Sequence, residues 1–331
     1  MRAITSVLQR RKRTVRAAIS LTLIALLVSW IGPRRLIEPL ATAPYHWIVP
    51  WIVAYDLVAN FLWGTGLYAL LHHARAGGYR RVVASAYKVQ ILSVVVPGRL
   101  ADLGTLHFWR DLHPPARIVA VQIIDKAITL PVTLTLGAIG IARFWGPGAL
   151  VVPLAVLAIV AVLVASTGAL RRALWSRAPA RWKSSLDGVG QEMRAAVRDG
   201  RGIAINAGLT LVRVSLAGIS FSTLLGWFGV EAPLLDVFLV QALAQLVCLL
   251  PITLLGIGLM DGVNVALLER LGAAPERVLA TGVAGTAAHL LFIVGAFAVW
   301  QAVRWVSQAP CHRGSEAISS RCTEHPIVSS E

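Results

Sequence analysis

Ala17–Ile31 opens a series of apolar stretches that continues at Trp47–Leu71, Ala116–Ile141, Leu150–Leu170, Ile203–Phe228 and Val278–Trp305. The last five each supply the roughly 20 residues that carry a helix across about 30 Å of hydrocarbon. A water-soluble domain has no interior large enough for so many segments, so the chain is read as an integral membrane protein. Composition agrees: of 331 residues 56% are hydrophobic and only 14% charged, with a mean hydropathy of +0.70, which excludes a disordered chain. A net charge of +15 would suggest nucleic acid in a soluble protein. That binding needs Lys and Arg on a polar surface, whereas most of this chain cannot face water. No nucleic-acid partner is expected.

Two further apolar stretches are interrupted. One runs from Tyr87 through Pro97-Gly98 to Trp109, the other from Pro233 through Pro251 and Gly256-Ile257-Gly258 to Leu271. Proline removes a helical donor and glycine loosens the backbone, so each stretch is expected to form two half-helices. Irregular backbone at membrane depth is tolerated only inside protein or beside water. The expected fold is an all-α polytopic membrane protein of about six full spans plus two re-entrant or broken helical hairpins; straightening the hairpins gives eight or more spans. The expected organisation is a basic N-terminus at 1–16, a transmembrane domain at 17–305 with a basic loop at 171–201, and a disordered tail at 306–331.

Lys and Arg orient such a chain. With both termini inside, 23 of the 31 basic residues fall on the cytoplasmic side and five outside (Arg34, Arg35, Arg143, Arg270 and Arg277), as the positive-inside rule requires. The first helix resembles a signal peptide, but Ala41-Thr42-Ala43 lies beyond Arg34, Arg35 and Glu38, so it is expected to be retained. The location implied is a bacterial inner membrane, crossed several times, with cytoplasmic termini. The 171–201 loop, with Trp175, Trp182, Leu186, Val189 and Met193 among eight basic residues, suits either an amphipathic helix on an anionic leaflet or a solvated loop. Cys248 stands in an apolar run; Cys311, His312, Cys322 and His325 match no standard zinc spacing. Neither a metal nor a cofactor is expected.

Arg110, Pro115, Arg117 and Ala120 recur 160 positions later as Arg270, Pro275, Arg277 and Ala280. With a broken stretch before each set, this suggests inverted-topology repeats, which place a substrate near the midplane between discontinuous helices. A charge at the bilayer centre costs about 2.5–3.5 kcal/mol. Asp56, Asp102, Asp125, Lys126, Arg213 and Asp261 fall within spans or hairpins. Asp56 is set aside as close to a span end, as is Asp236. The neighbours Asp125 and Lys126 point about 100° apart on a helix and do not face each other, so each is expected to find a partner elsewhere, plausibly on a hairpin. Arg99 and Asp102 could share a face beside the Pro97-Gly98 break. The expected substrate site is Arg99, Asp102, Asp125, Lys126, Arg213 and Asp261. Its breaks are Pro97, Gly98, Pro251, Gly256 and Gly258. His107 and His289 read as hydrogen-bonded packing residues, and structural ion pairing is the alternative role for the charges.

Val95-Val-Pro-Gly-Arg-Leu-Ala-Asp102, followed by Ala120–Lys126, resembles the first signature of the lysylphosphatidylglycerol synthase transmembrane, or flippase-like, family. Leu250-Pro-Ile-Thr-Leu-Leu-Gly-Ile-Gly-Leu-Met-Asp261-Gly262, with Leu271-Gly272 and Pro275 beyond, resembles the second. Met260 stands where the family often has a basic residue, Ala101 where it usually has Gly and Thr105 where it usually has Arg, which affects head-group preference. The resemblance covers roughly residues 15–305. With 26 residues after Trp305, it implies the translocase half alone, without the aminoacyl-transferase domain.

The resemblance implies a lipid translocase, not an enzyme, moving a polar phospholipid or glycolipid head group between leaflets. Arg99, Lys126 and Arg213 would hold a phosphate. Asp102, Asp125 and Asp261 would balance charge, bind a cationic head or carry a proton. No P-loop is present. One alternative is a non-catalytic membrane partner of a lipid- or glycan-synthesising enzyme. A lesser one is an intramembrane serine hydrolase built on Ser220 and His289.

Overall fold

The computed structural model describes residues 21–71, 78–95, 102, 104–151, 180–247 and 258–308. The basic N-terminus, the tail, most of the Leu150–Leu170 stretch, and Pro97, Gly98, Arg99, Pro251 and Gly256 lie outside the described residues. The helices are α1 (Leu21–Ile31), α2 (Pro33–Thr42), α3 (Tyr45–Leu70), α4 (Gly78–Val95), α5 (Gly104–Trp109), α6 (Pro115–Trp145), α7 (Ala180–Arg198), α8 (Gly200–Trp227), α9 (Leu234–Val247), α10 (Leu259–Glu269) and α11 (Pro275–Gln308). A short 3-10 turn, Pro147–Leu150, follows α6. There is no strand among the described residues. The protein is an all-α polytopic membrane protein: α3, α6, α8 and α11 are long and apolar enough to cross a bilayer.

The long helices start where the sequence permits. Pro115 occupies the first turn of α6 and Pro275 begins α11, positions where the missing N–H has no intrahelical partner to lose. The interrupted stretches contain two helices each, α4 with α5 and α9 with α10, and the members of each pair pack on one another. Helix α4 begins at Gly78, well before Tyr87. Helix α2 was not foreseen. Gly32, at φ +93°, turns the chain into it, Leu36 is its buried residue and it packs on α11. The 171–201 segment contains a helix, α7, which packs on α6; Arg117 Nε donates to Glu192 Oε2 at 2.8 Å across that contact.

The order α3-α4-α5-α6 recurs as α8-α9-α10-α11, and both copies of the Arg-Pro-Arg-Ala pattern fall at a short helix, a turn and a Pro-initiated span. Contacts recur in matching pairs: α3–α4 with α8–α9, α6–α9 with α11–α4, and α6–α8 with α11–α3, while α3 and α8 pack on each other. Reciprocal pairing of this kind is what two repeats related by an approximate two-fold produce.

Two apolar cores bracket a polar layer. One gathers Ile48, Ile52, Phe221, Leu224, Leu225, Val240, Leu268 and Leu279. The other gathers Trp63, Leu67, Val82, Val89, Trp109, Ile118, Val121 and Ile124. Along α3 the switch from one to the other passes through buried Asp56 and Asn60; along α8 it passes through Asn206 and Thr210. Asp56, Asn60, Asn206 and Thr210 thus bring polar groups to the region where α3 and α8 cross.

Candidate functional site

Asp125 is the most enclosed acid in the layer, 0% exposed. Lys126 Nζ donates to its Oδ2 at 3.0 Å, Asn206 Nδ2 of α8 to its Oδ1 at 3.3 Å, and Trp63 Nε1 of α3 approaches Oδ2 at 3.5 Å. Sequence neighbours were expected not to meet. They do, because the four-carbon stem of lysine reaches back over its own helix; a shorter side chain could not. Lys126 also finds the expected partner on the first broken stretch. Its Nζ lies 2.8 Å from Asp102 Oδ2, an ion pair outside hydrogen-bond geometry. One turn earlier on α6, Gln122 Nε2 donates to Thr105 Oγ1 at 3.2 Å, and Thr105 Oγ1 donates to Asp102 O at 2.7 Å. Gln122 and Lys126 share a face at i and i+4, so α6 grips α5 at two levels. Trp109 Nε1, donating to Ser85 Oγ at 2.5 Å, ties α5 to α4.

A cavity of about 590 Å³ lies between α3, α6, α8 and α9, lined by Tyr55, Lys126, Thr129, Thr133, Arg213 and Gln245 with small and apolar neighbours. No carboxylate is among the described residues that line it. The Thr129 hydroxyl is buried and has no hydrogen-bond partner within the protein. Asp125 therefore acts from behind, holding Lys126, while Lys126 and Arg213 present positive charge to the cavity.

Asp261 lies elsewhere. Gly258, at φ +83°, which glycine alone adopts at ease, precedes α10, and its N–H donates to Asp261 Oδ2 at 3.1 Å. The carboxylate caps its own helix and abuts Gly282 of α11. Among the described residues it is not one of those that line the cavity beside Lys126 and Arg213; a third-position acid at a helix start satisfies local backbone donors first. Asp236 pairs with Arg143 at 3.0 Å.

Residues 15–296 match the family described as Lysylphosphatidylglycerol synthase TM region. The chain belongs to that family. A search of the curated proteins and a search of the solved structures each found no match. Membership makes this a membrane protein with a lipid-related role.

In this lysylphosphatidylglycerol synthase TM-region protein, a second polar cluster occupies the same layer. His289 Nδ1 and Asp56 Oδ2 are 2.7 Å apart, and Gln90 Nε2 lies 3.2 Å from His289 Nε2. Asp56 is 4% exposed and twelfth of the 26 residues of α3, so it is central and not close to a span end. The signal available in the sequence was an acid and a histidine inside separate apolar runs; their 233-residue separation hid the pairing. The Ser220–His289 pair is not assembled: Ser220 Oγ accepts from Trp51 Nε1 at 3.1 Å, and His289 is held by Asp56 and Gln90.

Proposed function

We propose that the protein is a lipid translocase that carries a phosphate-bearing head group between leaflets through the cavity between α3, α6, α8 and α9. The observation that carries this reading is the cavity's charge: among the described residues, Lys126 and Arg213 line it and no acid does. A guanidinium offers a planar fork to phosphate oxygens, the Lys126 ammonium adds a point charge, and Thr129 and Thr133 add hydroxyls. The acyl chains would stay in the bilayer, so only the head group must shed water. Asp102 and Asp125 pair with Lys126, which limits the cost of keeping a cation at this depth.

The pairing of the two four-helix halves favours alternating access by rocking of one half against the other, with the substrate near the axis that relates them. In this reading the halves have inverted topology, the pairs α4–α5 and α9–α10 are re-entrant, both termini are cytoplasmic and the membrane is a bacterial inner membrane. The protein is then a carrier and not an enzyme.

The test is translocation of fluorescent phospholipids and glycolipids by the purified chain in liposomes, read by quenching the outer-leaflet label. The expected result is movement of one phosphate-bearing class, lost in Arg213→Gln and retained in Asp236→Asn. Movement of every lipid regardless of Arg213, or of none, overturns the reading; none, with a copurifying synthase, would instead make the protein that enzyme's membrane partner.

A further inference from the structure

The halves carry a second cavity. About 340 Å³ in volume, it lies between α3, α4 and α11 and is lined by Tyr55, Asp56, Gln90, Thr286, His289 and Leu290 with Ile52 and Gly285. Positions 286, 289 and 290 of α11 are 160 after Lys126, Thr129 and Leu130 of α6, which line the first cavity. Gln90 of α4 likewise corresponds to Gln245 of α9, 155 positions apart, and Tyr55 borders both spaces. The second cavity is the counterpart of the first in the other half. Where the first has permanent cations, this one has a carboxylate and an imidazole.

We infer that the Asp56–His289 pair, with Gln90, is a proton-binding site that couples the transmembrane proton gradient to movement of the head group in the cavity on the other side of Tyr55. The inference rests on the translocase reading. Among the described residues, Asp102 and Asp125 face the ammonium of Lys126, Asp236 faces a guanidinium, and Asp261 receives a backbone N–H. Asp56 differs: its partner is a histidine, whose ring can hold one proton or two. The pair therefore carries −1 or 0, and a net charge in apolar surroundings is costly, so gain of one proton changes what the centre of the protein can bury.

The hydrogen bonds suit both states. With one proton on the imidazole, Nδ1–H donates to Asp56 Oδ2 and Nε2 accepts from the Gln90 amide. With a second proton, Nε2–H needs an acceptor, which the Gln90 carbonyl supplies when the amide turns over. Hydrophobic or cationic residues at position 90 could not serve both. The proton binds at Nε2 from one face of the membrane and leaves from the same atom to the other.

Among the described residues, these groups face the pair. Helix α3 brings Tyr55 and Asp56, and α4 brings Gln90, with Tyr87 donating to Leu57 O and Lys88 over the Phe108 ring. Helix α8 brings Arg213 and α6 brings Lys126 to the far side of Tyr55. Helix α10 places Asp261 against Gly282, two turns from His289 on α11.

The test loads full-length protein into liposomes holding a pH-sensitive dye, with the membrane potential clamped to zero, and follows proton entry while a translocated fluorescent lipid moves down its own gradient. Wild type is expected to move protons with lipid. In Asp56→Asn and His289→Gln, proton entry per lipid moved is expected to fall to the leak of empty liposomes, whatever rate of lipid movement remains. Two variants of different shape guard against a folding defect, and thermal unfolding of each checks it. Lipid movement by wild type without proton entry overturns the inference and leaves the translocase standing, as does normal proton entry in both variants. Absence of lipid movement by wild type overturns the translocase reading and this inference with it.

Discussion

The Lys126 ammonium stands 2.8 Å from Asp102 Oδ2, joining the segment that begins α5 to the middle of α6. The same nitrogen serves Asp125 at 3.0 Å, so one cation is shared by two carboxylates from different elements. A substrate phosphate that draws Lys126 towards the cavity must loosen at least one of these contacts. In the proposed translocase, loading of the cavity would thereby be linked to the attachment of α5, giving the first half a part that responds to its cargo.

Replacing Lys126 with Met should be among the most damaging changes in the protein. It leaves Asp125 enclosed with Asn206 and Trp63 as its hydrogen-bond partners among the described residues, and breaking a buried pair from one side costs about 3–5 kcal/mol. Lys126→Met is expected to lower the unfolding temperature in detergent strongly, and Asp125→Asn with Lys126→Met to recover much of the loss. A double variant as unstable as the single would show that the ammonium acts through packing and not charge.

Helices α3 and α8 should separate when Gly202 gains a methyl group. A Cβ there would lie 2.5 Å from the Ala69 backbone carbonyl oxygen, which has no rotamer to yield. Overpacking of this kind costs about 1–3 kcal/mol. Gly208 on the same helix has nothing within 4 Å of its Cβ position, and Ala there should gain up to about 1 kcal/mol of helix propensity. Thermal unfolding of Gly202→Ala and Gly208→Ala should therefore move in opposite directions.

The contrast between these two glycines shows what a sequence can and cannot disclose. Apolar length placed α3, α6, α8 and α11, because hydrocarbon thickness is a one-dimensional constraint read directly along the chain. Pro115 and Pro275 marked span starts for local reasons, and the charges at Asp125, Lys126 and Arg213 stood out against apolar neighbours. Helix α2 did not, since ten residues with both faces represented resemble an interfacial loop. Asp261 looked like Asp125 in sequence but is consumed by its own helix start. Asp56 and His289 were both visible as residues, yet their meeting depends on how α3 packs against α11, which no local pattern encodes.

The Asp261 cap can be tested through the glycine it touches. A Cβ on Gly282 would lie 2.2 Å from Asp261 Oδ1, so Gly282→Ala must push the carboxylate off the Gly258 N–H. Loss of a capping side chain costs about 1 kcal/mol. Asp261→Ala removes the cap and the obstruction together, so adding Gly282→Ala to it should cost little more. Chemical denaturation of the two single variants and the double completes the cycle; additive losses would show that Gly282 matters for another reason.

Ser220→Ala should leave lipid movement at the wild-type rate. A serine nucleophile needs a base within hydrogen-bond reach, and here Ser220 Oγ is engaged by Trp51 Nε1 at 3.1 Å while His289 Nδ1 is engaged by Asp56 at 2.7 Å. Each member of the supposed dyad is thus occupied by a different residue of α3, Trp51 and Asp56, about one and a half turns apart. The Ala variant frees one indole N–H, a net loss of about 1–3 kcal/mol where the group is buried, so a small drop in unfolding temperature is expected. Trp51→Phe with Ser220→Ala removes both partners and should restore part of that stability. A collapse of activity in Ser220→Ala, with the protein still folded and with sensitivity to a serine-directed fluorophosphonate, would instead place a nucleophile at this position and revive the hydrolase.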